Sequence, residues 1–278
     1  MKNRNVFQKL AVVPHSVWVV MFIVAPLIFV IGFAFRGNDG SFSLSNITEL
    51  SRYGNVFILS IAFALIATVV CLIIGYPLAY FMSRQSLRAQ KILLVLVMLP
   101  MWCNLLIRTY ALMALLDNGG LINSLLESWG LNKIPIVGTN FGVILGMVYD
   151  FLPYMVLPIF TSMTKLDNRY IEASHDLGCN AWQTMTKVIM PLTASGVISG
   201  ITMVFVPSIS TFYISQKLGA GKIDLIGDTI ERLFQNTATY GVGAAMSLIM
   251  MILILISVGV MNHFSNDDDT HKRGGIIK

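Results

Sequence analysis

The sequence predicts an all-α membrane protein of six transmembrane helices, and three observations carry that reading. Of the 278 residues, 55% are hydrophobic and 12% are charged, against about 25% charged in ordinary soluble domains. Mean hydropathy is +0.73, more apolar surface than a water-soluble chain of this size could cover. The apolar residues also gather into six stretches, at 12–35, 56–82, 92–116, 141–163, 192–215 and 241–262. Each is long enough for a bilayer core, which takes about 20 residues of helix.

The first stretch follows Lys2, Arg4 and Lys9. It resembles a signal peptide, but it is too long and lacks a small-x-small cleavage site, so it reads as a retained span. The second carries Gly75 and Pro77, which mark a bend, and the third places Pro100, Asn104 and Arg108 at i, i+4 and i+8 on one stripe. The fourth contains Asp150 together with Pro153 and Pro158, and the fifth is interrupted by Pro207 and several Ser and Thr residues. Such breaks are tolerated where neighbours or a cavity satisfy the freed backbone groups. The sixth runs into the tail "NDDDTHKR", read as a short, frayed, solvated charge run. The 36–55 and 216–240 loops are long enough to hold short helices on the outer surface. The chain divides accordingly into 1–55 (tail, first span and first outer loop), a core at 56–262 and a tail at 263–278.

Lysine and arginine fix the expected orientation. Twelve of them lie in the N-tail (Lys2, Arg4, Lys9), the 83–91 loop (Arg84, Arg88, Lys91), the loop after the fourth span (Lys165, Arg169, Lys187) and the C-tail (Lys272, Arg273, Lys278). The remaining loops carry six: Arg36, Arg52, Lys133, Lys217, Lys222 and Arg232. Positive charge favours the cytoplasmic side, which places both termini and the 165–191 loop there. The net charge of +5 is scattered, so nucleic-acid binding is not expected. Cys71, Cys103 and Cys179 read as free thiols. No spacing suggests a metal site, and His15, His175 and His263 have no Ser or acid partner at a catalytic spacing.

Two ionisable residues lie inside spans. Arg108, counted from an outer end at Leu116, sits about 12 Å deep, and Asp150, counted from Phe141, about 13 Å. An intramembrane arginine costs about 2.5–3.5 kcal/mol on insertion scales and usually faces a bundle interior or an aqueous cavity. The similar depths suggest that Arg108 and Asp150 pair across a cavity lining; snorkelling of Arg108 to the interface is the alternative. Trp102, Tyr110, Tyr149, Tyr154, Phe212 and Tyr213 fall in or near the outer halves of spans, where packing or an interfacial belt accounts for most aromatic residues. Trp102, Asn104, Arg108, Tyr149, Asp150, Pro207 and Tyr213 are the candidates to line a path through the membrane.

The loop after the fourth span, "YIEASHDLGCNAWQTMTKVIMPL", is unusually polar for this chain. Leu166, Tyr170, Ala173 and Leu177 fall on one helical face, Asp167 is placed to cap that helix, and Gly178 is a natural left-handed terminator. Asn180 with Gln183 three residues on forms a capping box for a second helix. Ala181, Met185, Val188 and Leu192 repeat the one-face spacing, and Pro191 marks the handover to the next span. Spacing alone makes this a helix–turn–helix at the membrane surface.

The residue order adds a resemblance. Glu172-Ala173-Ser174, three residues, Gly178, nine residues, then Val188-Ile189-Met190-Pro191 resembles the EAA loop of ATP-binding-cassette importer permeases. In that family the loop reads EAA, three residues, G, nine residues, I-x-LP. Ser174, Val188 and Met190 depart conservatively, while Glu172, Ala173, Gly178 and Pro191 match. "LIIGYPLAYFMSR", "LPMWCNLLIRTYALMALL" and "VPSISTFYISQKLGAG" look like the polyamine branch of the family. The resemblance implies a type I importer fold, with five core helices from about residue 56 and a peripheral first span. It implies coupling to an ATPase through Glu172, Ala173, Ser174, Asp176, Gly178 and Pro191, in a bacterial inner membrane. The implied partners are a cytosolic ATPase present as a homodimer, a second homologous permease, a periplasmic polyamine-binding protein and the lipid bilayer. The chain has no GxxxxGK[ST] loop, so ATP and Mg would be bound by the partner ATPase and no cofactor by this chain. An oxyanion or ferric-iron permease, or a secondary transporter, are the competing expectations.

Overall fold

Apolar stretches of this length form helices in lipid because only internal hydrogen bonds can satisfy the backbone there. The structure, a computed structural model, describes residues 13–37 and 41–274. Lys2, Arg4, Lys9 and Lys278 of the charge count lie outside them. In chain order the helices are α1 (Val13–Ala34), α2 (Ser45–Glu49), α3 (Gly54–Ser83), α4 (Leu87–Trp102), α5 (Leu105–Leu116) and α6 (Leu121–Ser128). They continue as α7 (Asn140–Thr164), α8 (Arg169–Asp176), α9 (Ala181–Leu192), α10 (Ala194–Ser210), α11 (Tyr213–Leu218), α12 (Ile226–Phe234) and α13 (Tyr240–Gly274). Among the described residues there is no strand, only an isolated antiparallel bridge between Arg36 and Phe42.

Among the described residues, five helical segments are long and apolar enough to cross a bilayer, and a sixth is counted if the bent pair α9–α10 is one span. The first, second, fourth and sixth expected spans lie within α1, α3, α7 and α13 apart from terminal residues. The third does not form one helix. Pro100 has no N–H to give its helix, α4 ends at Trp102, and Asn104 starts α5 by accepting the Leu106 N–H at 2.8 Å. The fifth is also shorter than expected: it begins after Thr193 and ends at Ser210, where Thr211 turns extended. α13 continues as helix to Gly274, so the tail expected to fray is helical through that residue. No proline interrupts α13.

The chain falls into two compact units, Met1–Asn55 with Thr229–Leu253 and Val56–Asp228 with Ile254–Lys278. In the first unit, Asn46 holds the end of α1 by donating to Ala34 O at 3.2 Å and Arg36 O at 2.9 Å. Tyr240 packs edge-on between Phe33 and Phe234, with centroids 5.2 and 4.7 Å away.

The second unit is built around α7, the most buried of the spans. Its inner face carries Met147, Met155, Ile159 and Met163, and flexible thioethers fill such irregular gaps well. α10 approaches it closely through Gly196 and Gly200, a G-x-x-x-G pair that lets two helices meet at the backbone. A Cβ on Gly200 would stand 2.8 Å from Met155 Sδ, and one on Gly196 would stand 2.8 Å from Pro158 O. α3 reaches the same helix through Gly75, where a Cβ would meet Met155 Cγ at 3.1 Å.

Candidate functional site

Two polar constellations stand out in the second unit. The first is the module formed by α8 and α9. Asp167 Oδ1 accepts the Arg169 N–H at 3.0 Å, but the N-cap position of α8 is Asn168, one residue later than the sequence reading placed it. The Asn168 side chain caps nothing and instead accepts from Arg84 Nη1 at 2.7 Å. Gly178 has φ +81°, and the Cys179 N–H returns to Ser174 O at 3.0 Å, the six-to-one bond of a Schellman turn. The capping box is complete: Gln183 N donates to Asn180 Oδ1 at 2.8 Å and Asn180 N to Gln183 Oε1 at 3.0 Å.

The apolar stripes do not point inward as an isolated amphipathic loop would have them. Tyr170, Ala173 and Leu177 are exposed, Leu177 at 85%, and Leu166 precedes the helix. Glu172 and Asp176 are exposed beside them. The inner contact is instead polar: Ser174 and Thr184, both buried, meet with hydroxyls 2.9 Å apart, while Ser174 Oγ lies 2.7 Å from Ile171 O. The second helix likewise buries Thr184 and Ile189, with Thr193 buried just beyond its end, rather than Ala181, Met185, Val188 and Leu192. Its residues Met185–Ile189 form a π-turn. The handover to the next span lies at Thr193, two residues beyond Pro191, where the axis bends by 69°. Thr193 is fully buried and donates to Ile189 O at 2.8 Å, so the Tyr76 hydroxyl, 3.1 Å from Thr193 Oγ1, is the donor in that pair. A groove of about 660 Å³ runs alongside, lined by Lys165, Asp167, Arg169, Tyr170 and Ser195 among others.

The second constellation joins α4, α5 and α7. Arg108 Nε faces Asp150 Oδ1 as an ion pair, with the residues 8% and 0% exposed. Thr109 Oγ1 lies 3.3 Å from Asp150 Oδ2. Arg108 Nη1 donates to Pro100 O at 2.9 Å. That carbonyl lies in the last turn of α4, where it also accepts the Cys103 N–H at 3.2 Å. Pro100 and Arg108 therefore meet because the helix breaks between them, not as a stripe on one helix. The guanidinium also lies 5.8 Å from the Tyr149 ring centroid.

Of the candidate path residues, Arg108, Asp150 and Tyr149 come together. Asn104 is committed to capping α5, Trp102 is 74% exposed, and Pro207 sits half-buried inside α10. Tyr213 belongs to a separate cluster. Its ring stands edge-on to Tyr110 at 5.8 Å, and Lys217 Nζ lies over both rings at 5.6 and 4.9 Å. Lys217, Thr109, Tyr76, Thr184 and Thr193 were not singled out from the sequence; only Lys217, four residues after Tyr213, has a spacing that could have flagged it. Among the described residues, no group of three or more His, Cys, Asp or Glu side chains could hold a metal ion.

Comparison with known proteins agrees with this architecture. Residues 72–267 match the family described as "Binding-protein-dependent transport system inner membrane component". The chain is 36% identical over 266 residues to the spermidine/putrescine transport system permease protein PotB of Haemophilus influenzae, covering 92% of this chain and 93% of that protein. It is 38% identical over 247 residues to PotB of Escherichia coli, covering 85% and 90%. Among solved structures, it superposes on a chain of a bacterial alginate ABC transporter, in complex with a periplasmic protein that carries an alginate pentasaccharide. The TM-score there is 0.76, with 95% of each chain covered. At 18% identity that likeness speaks to the fold alone.

Proposed function

The chain belongs to the binding-protein-dependent transport permeases, and from that premise we propose that it is one of two membrane subunits of an ATP-driven importer of spermidine and putrescine. The observation that carries the coupling role is the face of α8. Ser174 locks that helix from within, while Glu172, Ala173, Asp176 and the large apolar Leu177 are left outward. An exposed face with that mixture suits a protein partner better than water or lipid. The partner is a cytosolic ATPase, present as two identical copies, that binds ATP and Mg. Gly178 and Pro191 shape the element it grips.

The excess of lysine and arginine in alternate connections supports an orientation with both termini and the module in the cytoplasm. The membrane is the bacterial inner membrane, and residues 56–262 form the translocating core. A second homologous permease completes the path, and a periplasmic polyamine-binding protein delivers the cargo. Identities of 36% and 38% to PotB proteins over most of the chain support the polyamine cargo. The ion pair works against an oxyanion cargo, because the Arg108 charge is already matched by Asp150.

The test is purification of the assembled complex and measurement of its ATPase and uptake activities. Polyamine-loaded receptor is expected to stimulate hydrolysis, and labelled spermidine, not sulfate, to accumulate. Uptake that persists without the ATPase would identify a secondary transporter and overturn the proposal.

A further inference from the structure

α11 is a helix of six residues that places Tyr213 and Lys217 four positions apart on one face. It packs against α5 and α7, and on the α5 side its face meets Tyr110. The two phenol rings stand edge to face, and the Lys217 ammonium lies 4.9 Å from one centroid and 5.6 Å from the other. A cation within about 6 Å of a ring centroid is held by the ring quadrupole, more strongly as water is excluded. Two rings sharing one ammonium form a partial aromatic cage. The cage is open on one side, since Tyr110 is 46% exposed and Lys217 is half-buried.

The occupant shows what the cage accepts. A lysine side chain ends in four methylenes and a primary ammonium, the same group that ends a linear aliphatic polyamine. We propose that Tyr110 and Tyr213 form a primary-alkylammonium subsite on the transport path, and that Lys217 is its tethered occupant, displaced by the terminal ammonium of the cargo. The identification of that cargo rests on the polyamine reading above; the preference of the cage for a primary ammonium rests on the geometry alone.

A tethered competitor acts at an effective concentration in the millimolar range or above. It therefore weakens the apparent affinity of the subsite without removing it. Once displaced, Lys217 remains beside the bound cargo as a like charge and returns to the rings when the cargo leaves. The subsite is thus built for brief occupancy, which suits a path that must release what it receives. Arg108 over Tyr149 cannot behave in this way. Its guanidinium is buried and bound to Asp150 and Pro100 O, so that cation is a fixture and Lys217 is an exchangeable one.

The experiment uses the full transporter complex in nanodiscs and follows the rate at which an amine-acetylating reagent labels Lys217 relative to the exposed Lys133, read by peptide mass spectrometry, so that reagent consumed by the added amines cancels. Spermidine, and separately n-butylammonium, are expected to raise that rate about threefold as the side chain leaves the rings; sodium chloride of matched ionic strength is not. In Tyr110→Leu the rate starts high and no longer responds to amines. In uptake assays, Lys217→Met is expected to lower the KM for spermidine about threefold to tenfold, the range a cation–π contact spans, without raising kcat. Lys217→Arg, which keeps a cation over the rings, stays near the parent value. Labelling of Lys217 that is indifferent to both amines overturns the proposal, as does an unchanged KM in an assembled Lys217→Met complex. If Lys217→Met does not assemble, the labelling of the unaltered chain decides. A response to butylammonium without any spermidine uptake sinks the cargo reading and leaves the cage; spermidine uptake with an inert cage does the reverse.

Discussion

The Arg108–Asp150 centre and the α8–α9 module handle polar groups in opposite ways. In the first, charge is turned inward: the guanidinium is spent on Asp150, on Pro100 O and on the face of Tyr149. In the second, charge is turned outward, and what lies inside is a pair of neutral hydroxyls, Ser174 and Thr184. Two neutral hydroxyls cost far less to bury than an ion pair. The module can therefore be fixed to the spans cheaply while Glu172 and Asp176 remain available. The contrast separates charged residues buried within this chain from charged residues left exposed on it.

The sharpest way to break that contrast is to unpair the ion pair. Arg108→Ala leaves Asp150 buried and uncompensated, an expected loss of about 3–5 kcal/mol, seen as a large drop in the thermal midpoint of the purified complex. The double change Arg108→Met with Asp150→Leu is expected to recover much of that loss, because well-packed apolar residues often replace a buried pair without penalty. No recovery would mean that Arg108 and Asp150 act independently.

Ser174→Val is the matching experiment on the module. It leaves Thr184 buried without its partner, at an expected cost of about 1–3 kcal/mol, and loosens α8 from α9. Receptor-stimulated ATPase activity is expected to fall together with uptake. Asn180→Ala removes the cap that starts α9, worth about 1 kcal/mol, with a correspondingly small shift in the midpoint. Glu172→Lys has the smallest expected effect on stability, within about 0.5 kcal/mol for a surface change, yet abolishes receptor-stimulated hydrolysis. Normal stimulation in Glu172→Lys would sink the docking role of that face.

Legibility in the sequence followed the range of the interaction. The capping box at Asn180 and the left-handed turn at Gly178 are decided by a few neighbouring residues, and each stands where local chemistry puts it, whereas the N-cap expected at Asp167 falls at Asn168. The meeting of Arg108 and Asp150 was also readable, because both depths follow from the rise of a helix and each residue lies within an unbroken one, α5 and α7. Other features were hidden. The break at Cys103 lies between Pro100 and Asn104 in a stretch that stays apolar on average, so hydropathy does not register it. The bend at Thr193 depends on a π-turn, on Pro191 and on Tyr76, a partner 117 residues away in sequence. The outward turn of Tyr170 and Leu177 defeats the rule that an apolar stripe faces its own core; on the proposed docking role, the surface it suits belongs to another protein. Gly196-x-x-x-Gly200 was not singled out from the sequence, although its spacing is one that marks close helix contacts in membranes.

That close contact has a genetic consequence. No residue is smaller than glycine, so the seam between α7 and α10 can be altered only by adding atoms, and repair must come from the opposite helix. At position 200 the nearest obstacle is the Met155 thioether, a flexible side chain that a second mutation can trim. At position 196 the obstacles include the carbonyl of Pro158, main chain that no codon change removes. A selection for regained uptake is therefore expected to yield suppressors of Gly200→Ala at Met155, and none at Pro158 for Gly196→Ala. Two glycines one helical turn apart would thus differ in whether their loss can be inherited and survived.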